Sequence, residues 1–492
     1  MSILIGKFFS KNKNIQMRKI CFVLLFLSAF SVYPQSKEQL LQARIDSLLS
    51  DKFFQSTQIA ADVYDLTTGA SLYEKNEKLL LKPASNLKIL TTSAALNYLG
   101  PLYNFKTSVF YTGGIVNGTL YGDLYVVGGC DPDFSEYDLD SLVTMVTQAG
   151  IKNISGNLIG DVSMMDSLFW GKGWMWDDDP STDAPYLTPL VINENSIGVI
   201  VKPAQTGEEP VVTLVPETDY FNIENNAVTV PADSPQTVSV NRDWIERKNT
   251  LIINGNIRNH VIPDSLTDTL RVNVYNPAMF FIELFKEALN KKDIGFKGKI
   301  FLADTPDYAR ELYTFNRPLK EIIQGINKKS YNLGAEMLLY AMAAKYFGKP
   351  ATAANGVKMV DSLISGIGME PNAYRIVDGS GVSHYNLVSA ELLLSVLKFI
   401  YYQKPEIFNS IYSSLPVAGV DGTLKKRMLN TAAEGNVHAK TGSLSGVSSL
   451  AGYLKNKNNN LIAFSIMIEN FVGSSKTARD FQDKICNLLI GY

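Results

Sequence analysis

The chain has 492 residues, 46% of them hydrophobic and 19% charged, with a formal net charge of −2. That length exceeds one ordinary core, so two or three domains are expected. Nothing in the near-neutral balance suggests binding to nucleic acid or a polybasic membrane surface, so function is expected from a local site.

An export signal is expected over residues 1–35. Arg18-Lys19 forms a basic start before the short apolar run 20–32, and Met17 is an alternative first residue. The run is short for a membrane span, and an uncleaved anchor is the alternative reading. Cys21 stands at the front of that run rather than at its end, which argues against a lipoprotein anchor. No other segment is expected to cross a membrane, so a periplasmic protein is the expectation. Cleavage would leave Cys130 and Cys486, and whether they pair is open. Histidines occur only at 260, 384 and 438, and no Cys/His spacing suggests a metal site. No cofactor is expected, and lysine is a better candidate base than histidine.

Residues 36–49 have helical periodicity, and 59–64 with 70–74 read as a hairpin turning at Thr67-Thr-Gly69. Next comes Leu81-Lys-Pro-Ala-Ser85-Asn-Leu-Lys88. Pro83 suits a first helical turn, and Leu87, Leu90, Ala94 and Leu96 continue an apolar helix to Gly100-Pro101. Ser85 and Lys88 are three apart and share a helix face. A serine hydroxyl needs a base, and a lysine made neutral by burial or a nearby cation can serve. Alone the spacing is weak: Ser10-Lys-Asn-Lys13 matches it too, and a solvated helix start would explain it.

After Gly100 the texture becomes β-rich. Short runs at 105–111, 119–127, 158–161, 197–202, 211–215, 237–240, 251–253 and 270–274 are broken by Gly, Asn and Pro, with one helical stretch at 137–148. Helices return at 279–289, 331–347 and 386–403. The end reads as strands 446–454 and 461–469, then a helix over 477–489. The simplest parse is α/β (α+β). A catalytic domain split between 37–96 and 300–492 is interrupted by a β-rich insertion over 97–299, with both ends contributing strands to one sheet.

Two further clusters carry chemistry. Ser330-Tyr-Asn332 precedes a helical run. Ser330 could pass a proton, and Asn332 could orient Lys88 or bind a substrate carbonyl, although Ser155-Gly-Asn157 has the same spacing and an N-cap would explain either. His438-Ala-Lys440-Thr441-Gly442-Ser443 precedes the 446–454 strand. Lys440 and Thr441 could hold a carboxylate, Gly442 allows close backbone approach, and the Ser443 N–H could join that of Ser85 in an oxyanion hole. Lys440 could also favour a neutral Lys88 by repulsion. An exposed turn is the plain alternative.

In this order, Ser85-x-x-Lys88, Ser330-x-Asn332 and Lys440-Thr-Gly442 resemble the penicillin-binding proteins and serine β-lactamases. Val377-Asp-Gly-Ser-Gly-Val-Ser383 and Pro416-Val-Ala-Gly-Val-Asp-Gly-Thr-Leu424 are similar to the D-alanyl-D-alanine carboxypeptidases of peptidase family S13. So are Gly128-Gly-Cys-Asp-Pro132 and Gly173-Trp-Met-Trp-Asp-Asp178 in the insertion.

The resemblance implies a transpeptidase-like domain, an antiparallel sheet flanked by helices, carrying inserted domains. It implies peptidoglycan stem peptides ending in D-Ala-D-Ala as substrates, acylation of Ser85, and β-lactams as acylating mimics. D,D-endopeptidase activity is a further implication. Catalysis would fall to Ser85, Lys88, Ser330, Asn332 and Lys440, and substrate binding to Thr441, Gly442, Ser443, Asp178 and His384. Asp178 would meet the amino group of a diamino acid, and His384 stands where the family often has Arg. Tyr331 stands where Asp is common. Trp170, Trp174 and Trp176 are expected in the insertion's core. A homodimer is left open. The alternatives are a serine β-lactamase, which the long insertion argues against, and an inactive cell-wall-binding protein, which the complete motif set argues against.

Overall fold

The computed structural model describes residues 36–259 and 269–492. The expected export signal, Cys21 and His260 lie outside the described residues. Five antiparallel strands form the central sheet, ordered Val437–Leu444, Val447–Lys455, Leu461–Glu469, Gln58–Asp65 and Ala70–Lys75. The two ends of the chain meet here, with Gln58 opposite Glu469 and Asp65 opposite Ile462. Leu461–Glu469 and Val447–Lys455 are almost wholly buried, which is why both read as nearly continuous apolar runs.

Helices cover both faces of this sheet. On one face, Lys37–Leu49 and Lys476–Ile490 pack Leu41, Ile45, Phe481 and Ile485 into a core shared with Val63, Phe464 and Ile466. On the other, the helices Leu87–Tyr98, Asn332–Phe347, Ala353–Gly366 and Ala390–Gln403 share a core with Ala451 and Met467. Asn332–Phe347 is buried without a break from Asn332 to Ala343, so it runs through the middle of this layer. Its first turns point polar side chains inward, and that sets up the site.

The inserted segment builds a second core around its own five-stranded sheet. The order is Ile300–Leu302, Leu158–Asp161, Leu124–Val127, Asn104–Tyr111 and Arg310–Pro318. Helices Glu136–Gln148 and Pro277–Lys291 contribute to that core. Strands Ile300–Leu302 and Arg310–Pro318 pair with Leu158–Asp161 and Asn104–Tyr111. The inserted sheets therefore run past residue 299, and the chain re-enters the helical layer at Leu319. The Leu319 N–H donates to the Tyr103 carbonyl (2.8 Å), so the segment leaves and returns at one point.

Other elements differ from expectation. The 119–127 run divides at Gly122-Asp123 into Thr119–Tyr121 and Leu124–Val127, which join different sheets. Helices Leu319–Lys328, Ala353–Gly366 and Pro405–Ser414 match no predicted element. Trp174 is buried and Trp170 packs beside it, but Trp176 is 73% exposed and leans on Trp244, so it is not core. Cys130 and Cys486 are free thiols in separate cores. No helix among the described residues is long and apolar enough to cross a membrane.

Candidate active site

Ser85 lies in a single 3₁₀ turn, Ala84–Asn86, that runs directly into the helix Leu87–Tyr98. The turn is held from the central sheet. The Pro83 carbonyl accepts from Ser449 Oγ (2.6 Å), and the Lys82 N–H donates to Glu469 (2.9 Å). The Asn86 amide oxygen faces the Leu450 and Ala451 N–H groups (3.2 Å each), with its nitrogen on the Lys440 carbonyl (2.8 Å). Ala84 is left-handed, φ 47°, a cost that persists only where surroundings fix the backbone. Gly381 is one such neighbour: a Cβ there would stand 1.9 Å from the Ala84 carbonyl oxygen.

Lys88 follows one turn later and is fully buried. Its Nζ lies 2.9 Å from Ser85 Oγ, 2.6 Å from Asn332 Oδ1 and 2.7 Å from the Ser380 carbonyl. Burial lowers its pKa to about 8, against the opposing pull of Asp378, Glu336 and Asp183. The expected contribution of Lys440 is not among the leading causes; desolvation comes first. Asn332 is itself oriented, because its Nδ2 donates to the Asp183 carbonyl of the insertion (2.7 Å).

Lys440, also fully buried, donates to Ser330 Oγ and to the Thr441 carbonyl (2.8 Å each). Burial first, then the charge of Lys88, push its pKa well down. Ser330 sits at φ 64°, immediately before the Asn332–Phe347 helix. The Lys440-Thr-Gly442 motif proves to be part of a strand, the sheet's edge strand Val437–Leu444, rather than a turn ahead of one. At Gly442 a Cβ would approach Ser449 Oγ at 2.2 Å, the Pro83 carbonyl oxygen at 2.7 Å and the Ser85 nitrogen at 3.0 Å. Only glycine lets this edge lie against the Ser85 turn.

A cleft of about 470 Å³ opens over these groups, lined by Ser85, Ser330, Asn332, Thr441, Ser443 and Asp178 among others. Thr441 Oγ1 bonds to Thr423 Oγ1 (2.7 Å), tying the 416–424 motif to the edge strand. Asp178 reaches the cleft from the insertion, with its carboxylate also accepting the Met175 N–H (2.8 Å). His384 does not line the cleft: it is partly exposed, and its loop reaches the cleft through Gly381 and Val382 instead. His438 stacks on Tyr412 at 4.2 Å and is not a cleft residue either. Tyr331 points away, its hydroxyl donating to the Pro132 carbonyl (2.8 Å), which ties the start of the Asn332–Phe347 helix to the insertion.

Sequence reasoning passed over two buried carboxylates. Asp378 accepts from the Gly381 and Ser383 N–H groups, Asn386 Nδ2 and Trp174 Nε1 (2.9, 2.7, 2.7 and 3.1 Å). Glu336, four residues after Asn332, accepts the Gly379 and Ser380 N–H groups. The i, i+4 spacing from Asn332 was the available signal.

Comparison with known proteins shows the family. The D-Ala-D-Ala carboxypeptidase 3 (S13) family model matches residues 41–490. The chain is 32% identical over 467 residues to the D-alanyl-D-alanine carboxypeptidase of Actinomadura sp. (strain R39), covering 92% of this chain and 85% of that protein. It is 29% identical to D-alanyl-D-alanine carboxypeptidase DacB of Haemophilus influenzae, over 90% of this chain and 93% of that one. The crystal structure of penicillin binding protein 4 (dacB) from Haemophilus influenzae matches with a TM-score of 0.79 at 26% identity, across 91% of this chain and 99% of the other. Split catalytic sheet, insertion and site residues all fall within the matched span, and the chain belongs to the D-Ala-D-Ala carboxypeptidase 3 (S13) family of serine carboxypeptidases.

Proposed function

We infer that this carboxypeptidase hydrolyses peptidoglycan stem peptides ending in D-Ala-D-Ala through an acyl-enzyme on Ser85, and that it also cuts D,D-crosslinks as an endopeptidase. The observation that carries the reading is the fully buried Lys88 amine, 2.9 Å from Ser85 Oγ. Neutral Lys88 takes the Ser85 proton as Oγ bonds to the carbonyl carbon of the penultimate D-Ala. The N–H groups of Ser85 and Ser443 hold the developing oxyanion. Lys88 passes the Ser85 proton on to Ser330, bonded to Lys440, as the Ser330 hydroxyl gives its own to the leaving D-Ala nitrogen and the C–N bond breaks, so Lys88 is neutral again. Thr441 and Ser443, at the cleft-facing edge, hold that residue's carboxylate, and Asp178 meets the ammonium of a diamino stem residue. Water then attacks the ester carbonyl, giving a proton to the neutral Lys88, which returns it to Ser85 Oγ as the acyl–oxygen bond breaks and frees the serine.

A β-lactam presents a strained amide in the same position, so it acylates Ser85. A structure of the Haemophilus influenzae relative complexed with a β-lactam supports this step. Export to the periplasm through residues 1–35 belongs to the same reading, since that is where the substrate lies.

The test is intact-protein mass after incubation with benzylpenicillin, followed over hours, beside Ser85→Ala. A persistent one-to-one adduct absent from Ser85→Ala is expected. Rapid turnover of penicillin without an adduct would replace the reading with a β-lactamase, and neither adduct nor turnover would leave the non-catalytic alternative.

A further inference from the structure

Lys88 contacts three oxygens, and their chemistry is unequal. A neutral amine has two N–H bonds and one lone pair. Asn332 Oδ1 and the Ser380 carbonyl, at 2.6 and 2.7 Å, can only accept. They take both hydrogens, which leaves the lone pair facing Ser85 Oγ, the one partner with a proton to give. The base is therefore aimed by two fixed acceptors. Asn332 is fixed by its bond to the Asp183 carbonyl. The Ser380 carbonyl needs an equivalent anchor.

That anchor is Glu336. Its carboxylate is fully buried, accepts the Ser380 N–H at 2.8 Å, and accepts the Gly379 N–H on both oxygens, at 3.0 and 3.1 Å. The Gly379 carbonyl in turn accepts from Thr91 Oγ1 (2.7 Å), on the helix that carries Lys88. The Gly379–Ser380 peptides are thus clamped between Glu336 and that helix. Asn332 and Glu336 lie one turn apart on Asn332–Phe347, so one buried helix governs both acceptors, the first directly and the second through the backbone.

We propose that Glu336 is a positioning residue for Lys88, its carboxylate holding the Ser380 carbonyl where it claims one amine hydrogen and turns the lone pair to Ser85. The proposal rests on Ser85 and Lys88 acting as nucleophile and base. Its second effect is electrostatic. The groups facing Lys88 are Asp378, Glu336, Asp183 and, beyond them, the Lys440 amine bonded to Ser330. Burial, then the charge of Asp378, push the Glu336 pKa up to about 8. Glu336 therefore joins the other two carboxylates in favouring the ammonium only as it ionises, and removing it lowers the pKa of Lys88.

Glu336→Gln and Glu336→Asp are compared with the unaltered chain by benzylpenicillin acylation, measured against concentration and from pH 6 to 10, with thermal unfolding alongside. Glu336→Gln should lower the limiting acylation rate about 10- to 100-fold, with the half-saturating concentration unchanged. Its acid limb should move to lower pH. Glu336→Asp keeps the charge but draws the carboxylate back, so the rate should fall with the limb unmoved. A Gln variant with the unaltered rate and limb overturns the proposal. So does one that is merely less stable, slower at every pH alike and weaker in half-saturation. If the Gln variant does not fold, full activity in Glu336→Asp overturns it instead. Absence of any adduct on the unaltered chain would instead sink the Ser85 reading, a distinct failure.

Discussion

Two buried amines within one site have to divide the work. Lys88 touches Ser85, and Lys440 touches Ser330; both are desolvated, and both pKa values are pushed down. A base works only when unprotonated, so acylation is lost as pH falls through the Lys88 pKa and gained as pH rises through it. With that pKa at about 8, the benzylpenicillin acylation rate should be half-maximal near pH 8 and level above it. A rate flat from pH 6 to 10 would remove Lys88 as the titrating base. At this scale the sequence was legible where geometry follows spacing: Ser85 and Lys88, three apart, meet at 2.9 Å, and Lys440-Thr-Gly442 lies on the strand edge beside the Ser85 turn. It was illegible where the role comes from burial. Glu336 and Asp378 look like any acidic residue in a helix or loop, and only tertiary packing turns them into acceptors for loop N–H groups. His384 shows the converse, since position in a motif does not carry a side chain into the cleft.

Elements meet at the Ser85 turn, and the closeness of the edge strand is a glycine property. In Gly442→Ala the added methyl would meet Ser449 Oγ, which is already committed to the Pro83 carbonyl, so the strand has to retreat from Ser85. Acylation by benzylpenicillin should fall by about 100-fold, because the oxyanion donors lose register with Ser85. Overpacking should cost about 1–3 kcal/mol, read from denaturant unfolding. An unchanged rate would mean that the edge strand does not contribute to the reacting geometry. The strands of this sheet were legible because a buried strand is a continuous apolar run, as in Leu461–Glu469. Arg310–Pro318 was missed because its residues are half-exposed or exposed, and Leu319–Lys328 because its Leu319, Ile322, Ile323, Ile326 stripe follows directly on Pro318.

For the whole molecule, the question is whether the insertion is an appendage or part of the site. The adjacency of Tyr103 and Leu319 suggests that residues 104–318 could be removed and closed with a two-glycine link without stretching the catalytic layer. The core argues otherwise. Met164, Met165, Trp174, Ala184, Leu187 and Val191 of the insertion pack into the same cluster as Leu87, Leu90 and Leu338. Each buried side chain of Leu or Met size contributes about 1.5–3 kcal/mol. Losing this group approaches the whole net stability of a domain, about 5–15 kcal/mol. Excision also removes the Asp183 carbonyl from Asn332 and the Trp174 indole N–H from Asp378, leaving both buried polar groups short of a partner. Although Ser85, Lys88, Ser330, Asn332 and Lys440 would all remain, the excised chain should lose cooperative thermal unfolding and form no benzylpenicillin adduct. Trp174→Phe tests the same coupling more gently, with an expected loss of about 1–3 kcal/mol from the missing hydrogen bond to Asp378 Oδ2, which keeps the Ser383 N–H. An excised chain that melts cooperatively and is acylated at the unaltered rate would show that the catalytic layer organises Lys88 without help from the insertion.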